Sequence, residues 1–282
     1  MSIVQGGTSV LASLWSGVSG IHAFSAALDT ASYNIANLNT VGFKQSHVSF
    51  ADIFSDALTL PNTLGSSQAG QGVRVNAIRT DFTQGVFETT TNPLDLGIDG
   101  PGFFIVRQDA GAPELYTRAG AFDIGQDATR RDGFVVNPGG LLLQVDQAGA
   151  IGELDLSVEG LKTRFGDDFV LESVSVDESG LITASALSGR VEELGTIPLA
   201  RFDDPGALIP VGENLYTQSF SSGIPSDVTG SGRILQNVLE LSNVDLSEQF
   251  VELIKFQRAF QINNRVVGTS DEIYQQIVDL KS

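Results

Sequence analysis

Apolar side chains recur every seven residues close to both ends of this chain of 282 residues. That spacing is typical of a helix that packs along one face. Near the N-terminus it predicts a helix over about residues 9–39, with Thr8 or Ser9 able to cap its start. Asn37, Asn39 and Gly42 predict its end, because Asn and Gly adopt the left-handed conformation with little strain. The apolar positions of this N-terminal repeat are Leu14, Ile21, Leu28 and Ile35.

The C-terminal repeat predicts a second long helix, over about residues 245–280. Asp245 and Glu248 have the spacing of a capping box, in which two side chains satisfy free backbone N–H groups of the first turn. The apolar positions of this C-terminal repeat are Leu246, Leu253, Phe260, Val267 and Tyr274.

Neither predicted helix can bury its apolar face alone, so the simplest solution is that the two helices pair and bring the chain ends together. The N-terminal helix also lacks a charged face, since its first charged residue is Asp29 and Ser, Ala, Gly and Thr occupy its other sides. A helix without a charged face is normally buried all round. The pattern supports two alternatives equally: further copies of the chain cover this helix, or the globular core of the same chain does.

The middle of the chain, about residues 73–235, predicts a mostly antiparallel β domain of the barrel or sandwich type. Short apolar runs alternate there with turn sequences, as at residues 102–106 (GFFIV) and 137–140 (NPGG). A connector, residues 44–72, is predicted to contain a short helix from Phe50 to Leu58.

The predicted fold class is therefore α+β, with terminal helices that pair as a coiled coil and flank a central antiparallel β domain. The predicted divisions are an N-terminal helix, a connector, a β domain and a C-terminal helix, at residues 1–43, 44–72, 73–235 and 236–282.

Charge and composition exclude several classes of function. The net charge is −18, of which residues 61–242 carry −14, so binding to nucleic acid phosphates is not expected. The absence of cysteine excludes disulfides and thiolate metal sites. The two histidines, His22 and His47, are too few for a histidine metal centre, and we interpret both as structural. No secretory signal is recognisable, and polar residues interrupt the uncharged N-terminal run too often for a membrane span.

No sequence motif indicates catalysis or cofactor binding. The chain has no Walker loop, no G-x-S-x-G elbow and no G-x-G-x-x-G that leads from a strand into a helix. Asp123, Asp127 and Asp132 form a loose acidic series whose spacing does not match an EF-hand. Adjacent carboxylates such as Asp203 and Asp204 would point to opposite faces of a strand, a poor geometry for acid–base catalysis. We therefore predict no catalytic, cofactor-binding or metal-binding residues, and a protein that is not an enzyme.

Six segments resemble the bacterial flagellar hook and rod protein family, and they follow the family's order over nearly the whole chain. Residues 32–44 (SYNIANLNTVGFK) resemble its N-terminal signature, and residues 92–106 (NPLDLGIDGPGFFIV) resemble the start of its β domain. The shorter matches are residues 116–122 (YTRAGAF), 212–216 (GENLY), 242–245 (SNVD) and 257–261 (QRAFQ). The residues that carry the signature are Asn34, Asn37, Gly42, Phe43, Asn243, Gln257 and Arg258.

The resemblance implies a structural subunit of the flagellar axis, which polymerises into a tube and transmits motor torque to the filament without a cofactor. It implies that the terminal helices form the inner layer of that tube, so that the nine repeat positions are polymer contacts. The implied partners are other copies of the chain, adjacent axial and junction proteins, and the flagellar export apparatus, with no nucleic acid and no small-molecule substrate. Export to the hook or basal body would occur without a cleaved signal peptide.

Two positions in the flagellar axis agree with the sequence. Residues 50–54 (FADIF), 244–245 (VD) and 269–272 (TSDE) are more similar to hook proteins. Residues 212–216 and the absence of an extra outer domain fit the distal rod, and the balance favours the hook. From other classes, a secreted β-rich adhesin would leave the matched helices unexplained, and a membrane-inserting translocator conflicts with the polar residues of the N-terminal run.

Overall fold

The computed structural model describes residues 2–54, 70–109, 111–125, 133–147, 149–166, 169–227 and 232–279. Two long helices, α1 (Ser2–Ala36) and α3 (Leu246–Asp279), lie at the two ends, and a short helix, α2 (Val158–Phe165), lies between them. The terminal helices therefore occur where the seven-residue repeats predict them. The predicted start of the first helix at Thr8 or Ser9 is wrong, because α1 begins at Ser2 and continues through both residues. None of the helices in the described residues has an apolar stretch long enough to cross a lipid bilayer.

The described residues contain nineteen strands, and every pairing between them is antiparallel. The strands are β1 (Ser46–Phe54), β2 (Gly70–Thr80), β3 (Phe87–Thr89), β4 (Leu96–Asp99), β5 (Phe103–Arg107), β6 (Leu115–Thr117), β7 (Asp123–Ile124), β8 (Val135–Val136), β9 (Leu142–Gln147), β10 (Ala150–Glu153), β11 (Leu171–Val176), β12 (Leu181–Ala186), β13 (Val191–Thr196), β14 (Leu199–Arg201), β15 (Ile209–Gly212), β16 (Leu215–Thr217), β17 (Ser226–Asp227), β18 (Arg233–Gln236) and β19 (Val238–Glu240).

The chain forms two compact units. The first, here called the helical unit, comprises Met1–Ala36, Ser46–Thr80 and Val244–Ser282. In it α1 and α3 pack antiparallel, and β1 and β2 form a two-stranded ladder against α1. The Phe50 ring of β1 lies 5.4 Å from the Phe24 ring of α1, measured between ring centroids. Strand β1 therefore covers part of a helix that the sequence predicts to be buried on all sides.

The second unit, here called the β unit, comprises Asn37–Gln45 and Asp81–Asn243. Its main sheet has 13 strands among the described residues, with the order β11-β12-β13-β9-β5-β6-β16-β15 along its principal path. Strand β5 is central and buried on both faces, which explains its uninterrupted apolar run. Phe104 and Val106 of β5 enter the larger apolar core, and Phe103 and Ile105 enter a smaller one on the other face.

The predicted helix from Phe50 to Leu58 is wrong over residues 50–54, which belong to β1. Pairing with β2 gives the backbone of this segment its hydrogen bonds, and Phe50 meets an aromatic partner on α1. A short apolar run does not by itself distinguish a buried strand from a helix. Residues 55–58 lie outside the described residues.

The units also differ from the predicted divisions at three places. Residues 37–45 lie in the β unit, although the sequence assigns them to the N-terminal helix and the connector. Strand β2 packs with the helices, so the predicted start of the β domain at residue 73 falls inside a strand of the helical unit. At the other end, β18 and β19 carry the β unit past its predicted end at residue 235, because they pair with β4 and β3.

Candidate assembly interface

Polar side chains join the two terminal helices near both ends of their contact. Ser13 Oγ on α1 and Ser270 Oγ on α3 lie 3.1 Å apart. At the other end, Asn34 Nδ2 donates to Gln249 Oε1 at 3.0 Å, and both of these side chains are buried. A buried polar pair is stable only when its members face each other, so these contacts fix the register of the two helices.

Between these polar pairs, two glycines allow the helices to approach closely. A Cβ atom at Gly17 would lie 2.8 Å from Val267 Cγ2, and one at Gly20 would lie 2.5 Å from Asn263 Oδ1. Both distances are shorter than a normal van der Waals contact, so a side chain there would push the helices apart. We call the contacting pairs the helix seam: Ser13–Ser270, Gly17–Val267, Gly20–Asn263, Phe24–Phe256 and Asn34–Gln249.

None of the nine predicted polymer contacts is fully buried in this chain. Leu246 and Tyr274 have exposed fractions of 39% and 45%. The remaining positions are half-buried, and of these only Val267 belongs to the helix seam: Leu14, Ile21, Leu28, Ile35, Leu253, Phe260 and Val267. The apolar repeat thus located the helices, but small and polar residues mark most of the face on which they pair. The signal that could have found the seam is the spacing of Ser13, Gly20 and Asn34 on the sequence.

Large apolar side chains face water on the side of α3 opposite the helix seam. At 3.6 residues per turn they fall within one arc of the helix. The exposed fractions of Ile254 and Ile262 are 56% and 61%. We call this arc the outer helical face: Phe250, Val251, Ile254, Ile262 and Ile273. Charged side chains share this side of α3, since Lys255, Arg258 and Arg265 are also exposed there. Five exposed large apolar side chains on one side of a helix are nevertheless typical of a surface that contacts another protein.

Two signature residues, Gln257 and Arg258, are exposed on the same side of α3. Arg258 Nη1 donates to Gln261 Oε1 at 3.3 Å, a contact within one exposed helical turn. Neither side chain is buried in the fold of the single chain.

Asn34, by contrast, has a clear role inside the helical unit. Its Nδ2 group donates to the Ser46 carbonyl at 2.9 Å, and its Oδ1 accepts from the Ser46 N–H at 2.9 Å. With the additional bond to Gln249, one buried amide joins the end of α1, the start of β1 and the start of α3.

A buried charged cluster holds the segment after α1 within the β unit. Lys44 Nζ lies 2.6 Å from Glu240 Oε1, and both side chains have no exposed surface. Lys44 Nζ also donates to the Thr83 carbonyl at 2.7 Å, and the Gly85 N–H donates to Glu240 Oε1 at 2.9 Å. Burial lowers the pKa of Lys44, and the Glu240 charge opposes that shift. Sequence reasoning did not single out Glu240, although Lys44 is the sole positive residue before Arg74 and needs a partner if buried.

The other signature residues surround this cluster. Gly42 has a φ of +68° and donates its N–H to the Glu240 carbonyl at 2.8 Å, and Phe43 is buried. Asn243 Oδ1 accepts from the Gln45 N–H at 2.8 Å. Asn37 Oδ1 accepts from the Thr40 hydroxyl at 3.1 Å in the turn after α1.

Gly42→Ala is expected to destabilise the β unit by about 2–4 kcal/mol. Alanine is strained in the left-handed conformation that Gly42 adopts, and its Cβ atom would clash with a neighbouring backbone atom. The new Cβ would lie 2.5 Å from the Ala119 backbone nitrogen. Urea unfolding followed by near-ultraviolet circular dichroism measures the loss. The control is Gly149→Ala, which also has a positive φ of +91° but no atom within 4 Å of the added Cβ. A cost for Gly42→Ala no larger than the control would contradict the close packing at Ala119.

The histidines and the acidic residues that could have served catalysis or metal binding do not form a site among the described residues. His22 is exposed on α1 and His47 is half-buried in β1. Asp123 is exposed in β7, whereas Asp127 and Asp132 lie outside the described residues. In the described part of the chain, no group of three or more His, Asp or Glu side chains is placed to hold a metal ion.

Comparison with known protein families gives three matches along the chain. Residues 14–44 match the model "Flagella basal body rod protein". Residues 97–184 match "Flagellar hook protein FlgE/F/G D1 domain", and residues 235–280 match "Flagellar basal body rod FlgEFG protein C-terminal". The terminal matches cover the helix seam apart from Ser13, and they cover the Lys44–Glu240 pair, whereas the central match falls within the β unit.

Curated relatives extend this similarity to the full chain. The flagellar basal-body rod protein FlgG of Bacillus subtilis is 35% identical over 286 residues, covering 96% of this chain and 100% of the relative. This chain belongs to the flagellar rod and hook protein family. As a family member it is a structural protein of the flagellar axis and not an enzyme, and the resemblance seen in its motifs is confirmed.

Rod and hook relatives of one organism, Borreliella burgdorferi, differ in how they align with this family member. Its FlgG is 30% identical over 280 residues, covering 94% of this chain and 96% of the relative. Its hook protein FlgE is 25% identical over 444 aligned positions, covering 97% of this chain and 100% of the relative. A solved structure, the Helicobacter pylori flagellar hook protein FlgE2, is 13% identical and covers 62% of this chain and 47% of its own, with a TM-score of 0.24. That value is too low to support a structural comparison.

Proposed function

We propose that this protein polymerises into the tubular axis of the flagellum through its terminal helices and transmits motor torque along that tube. The observation that carries the proposal is the outer helical face, five large apolar side chains of α3 that the single chain leaves in water. Burial of apolar area gives about 25 cal/mol per Å², so covering this face in every subunit favours the polymer.

The distribution of small and large side chains around α1 supports the same proposal. Its small residues Gly17 and Gly20 meet α3, whereas the larger Leu14 and Ile21 remain half-exposed. Trp15 has an exposed fraction of 69%. We propose that α1 and α3 form a coiled-coil-like pair and that neighbouring copies cover these side chains, which makes the repeat positions polymer contacts.

Electron microscopy of concentrated, purified protein tests the proposal. Tubes with a central channel are the expected result. Dispersed particles that bind a glycan surface would indicate an adhesin instead, and protein embedded in added liposomes would indicate a translocator. Either outcome would overturn the polymer proposal.

Two positions along the flagellar axis have support, the distal rod and the hook. Rod relatives align over about the length of this chain, whereas the hook relative needs 444 aligned positions, so chain length favours the distal rod. Residues 50–54, 244–245 and 269–272 are more similar to hook proteins, as described above. Immunogold labelling of purified hook–basal bodies distinguishes the two, since antibody would mark either the straight rod or the curved hook.

We further propose that the flagellar export apparatus is a partner and that no signal peptide is removed. The family assignment supports this proposal, because the resemblance to rod and hook proteins implies export through the flagellar apparatus without a cleaved signal. Mass spectrometry of the subunit from purified basal bodies tests it. A missing N-terminal segment longer than the initiator Met would contradict it.

Rising salt is expected to lower the critical concentration for assembly. Residues 61–242 carry −14, and repeated copies of this charge repel one another. The Debye length falls from about 10 Å at 0.1 M to about 3 Å at 1 M salt, so repulsion between subunits weakens. Sedimentation of polymer across this salt range measures the effect. A critical concentration that rises steadily with salt would show that attractive ion pairs dominate instead.

A further inference from the structure

A cleft of about 260 Å³ opens on the β unit beside the turn that precedes β5. Two arginine residues from different parts of the chain line it. Arg118 directly follows β6, and Arg201 is the last residue of β14. The residues that line the cleft are Phe82, Gln84, Gly100, Pro101, Gly102, Phe103, Arg118, Arg201, Phe202 and Pro205. No carboxylate is among these lining residues.

Arg118 is buried but incompletely paired. Its side chain is 5% exposed, and its Nη2 group donates to the Gly100 carbonyl at 2.9 Å. Its Nη1 group lies 3.6 Å from Glu240 Oε2, beyond hydrogen-bond length, and neither Nε nor Nη1 has a hydrogen-bond partner among the described residues. The other Glu240 oxygen is taken by Lys44 at 2.6 Å, so two buried cations share one carboxylate. A buried guanidinium with free N–H groups is a strong site for a further anion.

Arg201 supplies a second positive charge at the cleft. It is exposed, and its side chain forms no ion pair within the described parts of the chain. Asp203 and Asp204 follow it closely in sequence but do not pair with it. Two guanidinium groups at one cleft match a carboxylate, because each can donate a charge-assisted hydrogen bond to it.

We propose that this cleft binds the carboxylate of an exposed Asp or Glu from a neighbouring copy of the chain. Charge complementarity identifies the occupant, because the chain carries a net charge of −18, so neighbouring copies offer an excess of acidic side chains. The contact would lie in the β unit, separate from the helical contacts, and would fix the orientation of adjacent β units in the tube. The inference rests on the proposed function, since only assembly supplies the second copy.

Zero-length carbodiimide cross-linking of polymer that contains Arg201→Lys tests the proposal. The substitution keeps the positive charge and introduces an amine that joins to a carboxylate in contact with it. Mixed polymers of ¹⁴N- and ¹⁵N-labelled subunits distinguish links between copies from links within one copy by mass. We expect peptides that join position 201 of one copy to an Asp or Glu of another, in tubes and not in dispersed subunits.

Arg190→Lys is the matched control for the chemistry. Arg190 pairs with Glu192 of the same chain at 2.6 Å, so its amine should link within one copy in tubes and in dispersed subunits alike. Tubes in which the control links but position 201 forms no link between copies would overturn the proposal. Failure of the unmodified chain to form any tube would instead overturn the proposed function, so the two failures are distinguishable.

Arg201→Glu provides an independent measurement. Loss of a charge-assisted hydrogen bond and addition of a repulsive charge are expected to raise the critical concentration for assembly at least about tenfold. An unchanged critical concentration would contradict the proposal.

If Arg201→Lys fails to form tubes, titration of the dispersed unmodified chain with sodium acetate tests whether the cleft binds a carboxylate. Sodium chloride is the control for ionic strength. A specific shift of the Arg118 Nε–H resonance in acetate supports the site, and equal shifts in both salts exclude it.

Discussion

Ile254→Asp is expected to abolish tube formation while the subunit stays soluble and melts near the wild-type temperature. Ile254 has an exposed fraction of 56% in the single chain, so a charge there costs the isolated fold little. In the polymer the same carboxylate would be removed from water without a partner, at a cost of several kcal/mol in every subunit. Pelleting assays and electron microscopy measure assembly, and circular dichroism measures the melting temperature.

Leu187→Asp is the matched control, since Leu187 is an apolar residue of the β unit with an exposed fraction of 72%. It introduces the same charge outside the helices and should leave assembly intact. Leu253→Asp, at a half-buried repeat position, is expected to lose both assembly and part of the packing of the helix pair. Normal tubes from Ile254→Asp would show that the outer helical face is not the polymer contact.

Glu240→Ala is expected to destabilise the β unit by about 3–5 kcal/mol, because it leaves Lys44 and Arg118 as buried charges without a carboxylate. For a unit of this size, each kcal/mol lowers the melting temperature by roughly 2–4 °C, so a decrease of about 6–20 °C follows. Calorimetry measures this decrease. Flagellar assembly should fail indirectly, since fewer subunits would be folded.

Arg233→Ala is the control for the loss of an ion pair as such. Arg233 lies 3.0 Å from Asp99, and both side chains are well exposed, so its removal should cost less than about 1 kcal/mol. Equal, small effects of the two substitutions would show that the Lys44–Glu240 pair contributes no more than a surface pair. A large effect of Glu240→Ala alone supports a structural role for the buried cluster.

The sequence predicted the terminal helices, the antiparallel middle and the family, because each depends on local patterns. The apolar repeats have the period of a helix, and the segment Gly42-Phe43-Lys44 with the Asn residues before it is a distinctive local motif. The prediction from sequence failed at residues 50–54, because a short apolar run has no periodicity that distinguishes a strand from a helix. Pairing of β1 with β2 decided that segment, through backbone hydrogen bonds that a local pattern does not specify.

Which residues meet across the fold was decided by tertiary structure alone. Lys44 and Glu240 are 196 residues apart in the chain, and Asn34 and Gln249 are 215 apart. No periodicity connects such positions, so their charges and amides gave no sign of pairing before the segments were brought together. The helix seam has the same origin: hydrophobicity marks large side chains, whereas close packing of two helices selects small ones. The sequence by itself determined that these helices need partners, and the tertiary structure determined which faces the single chain covers and which it leaves exposed.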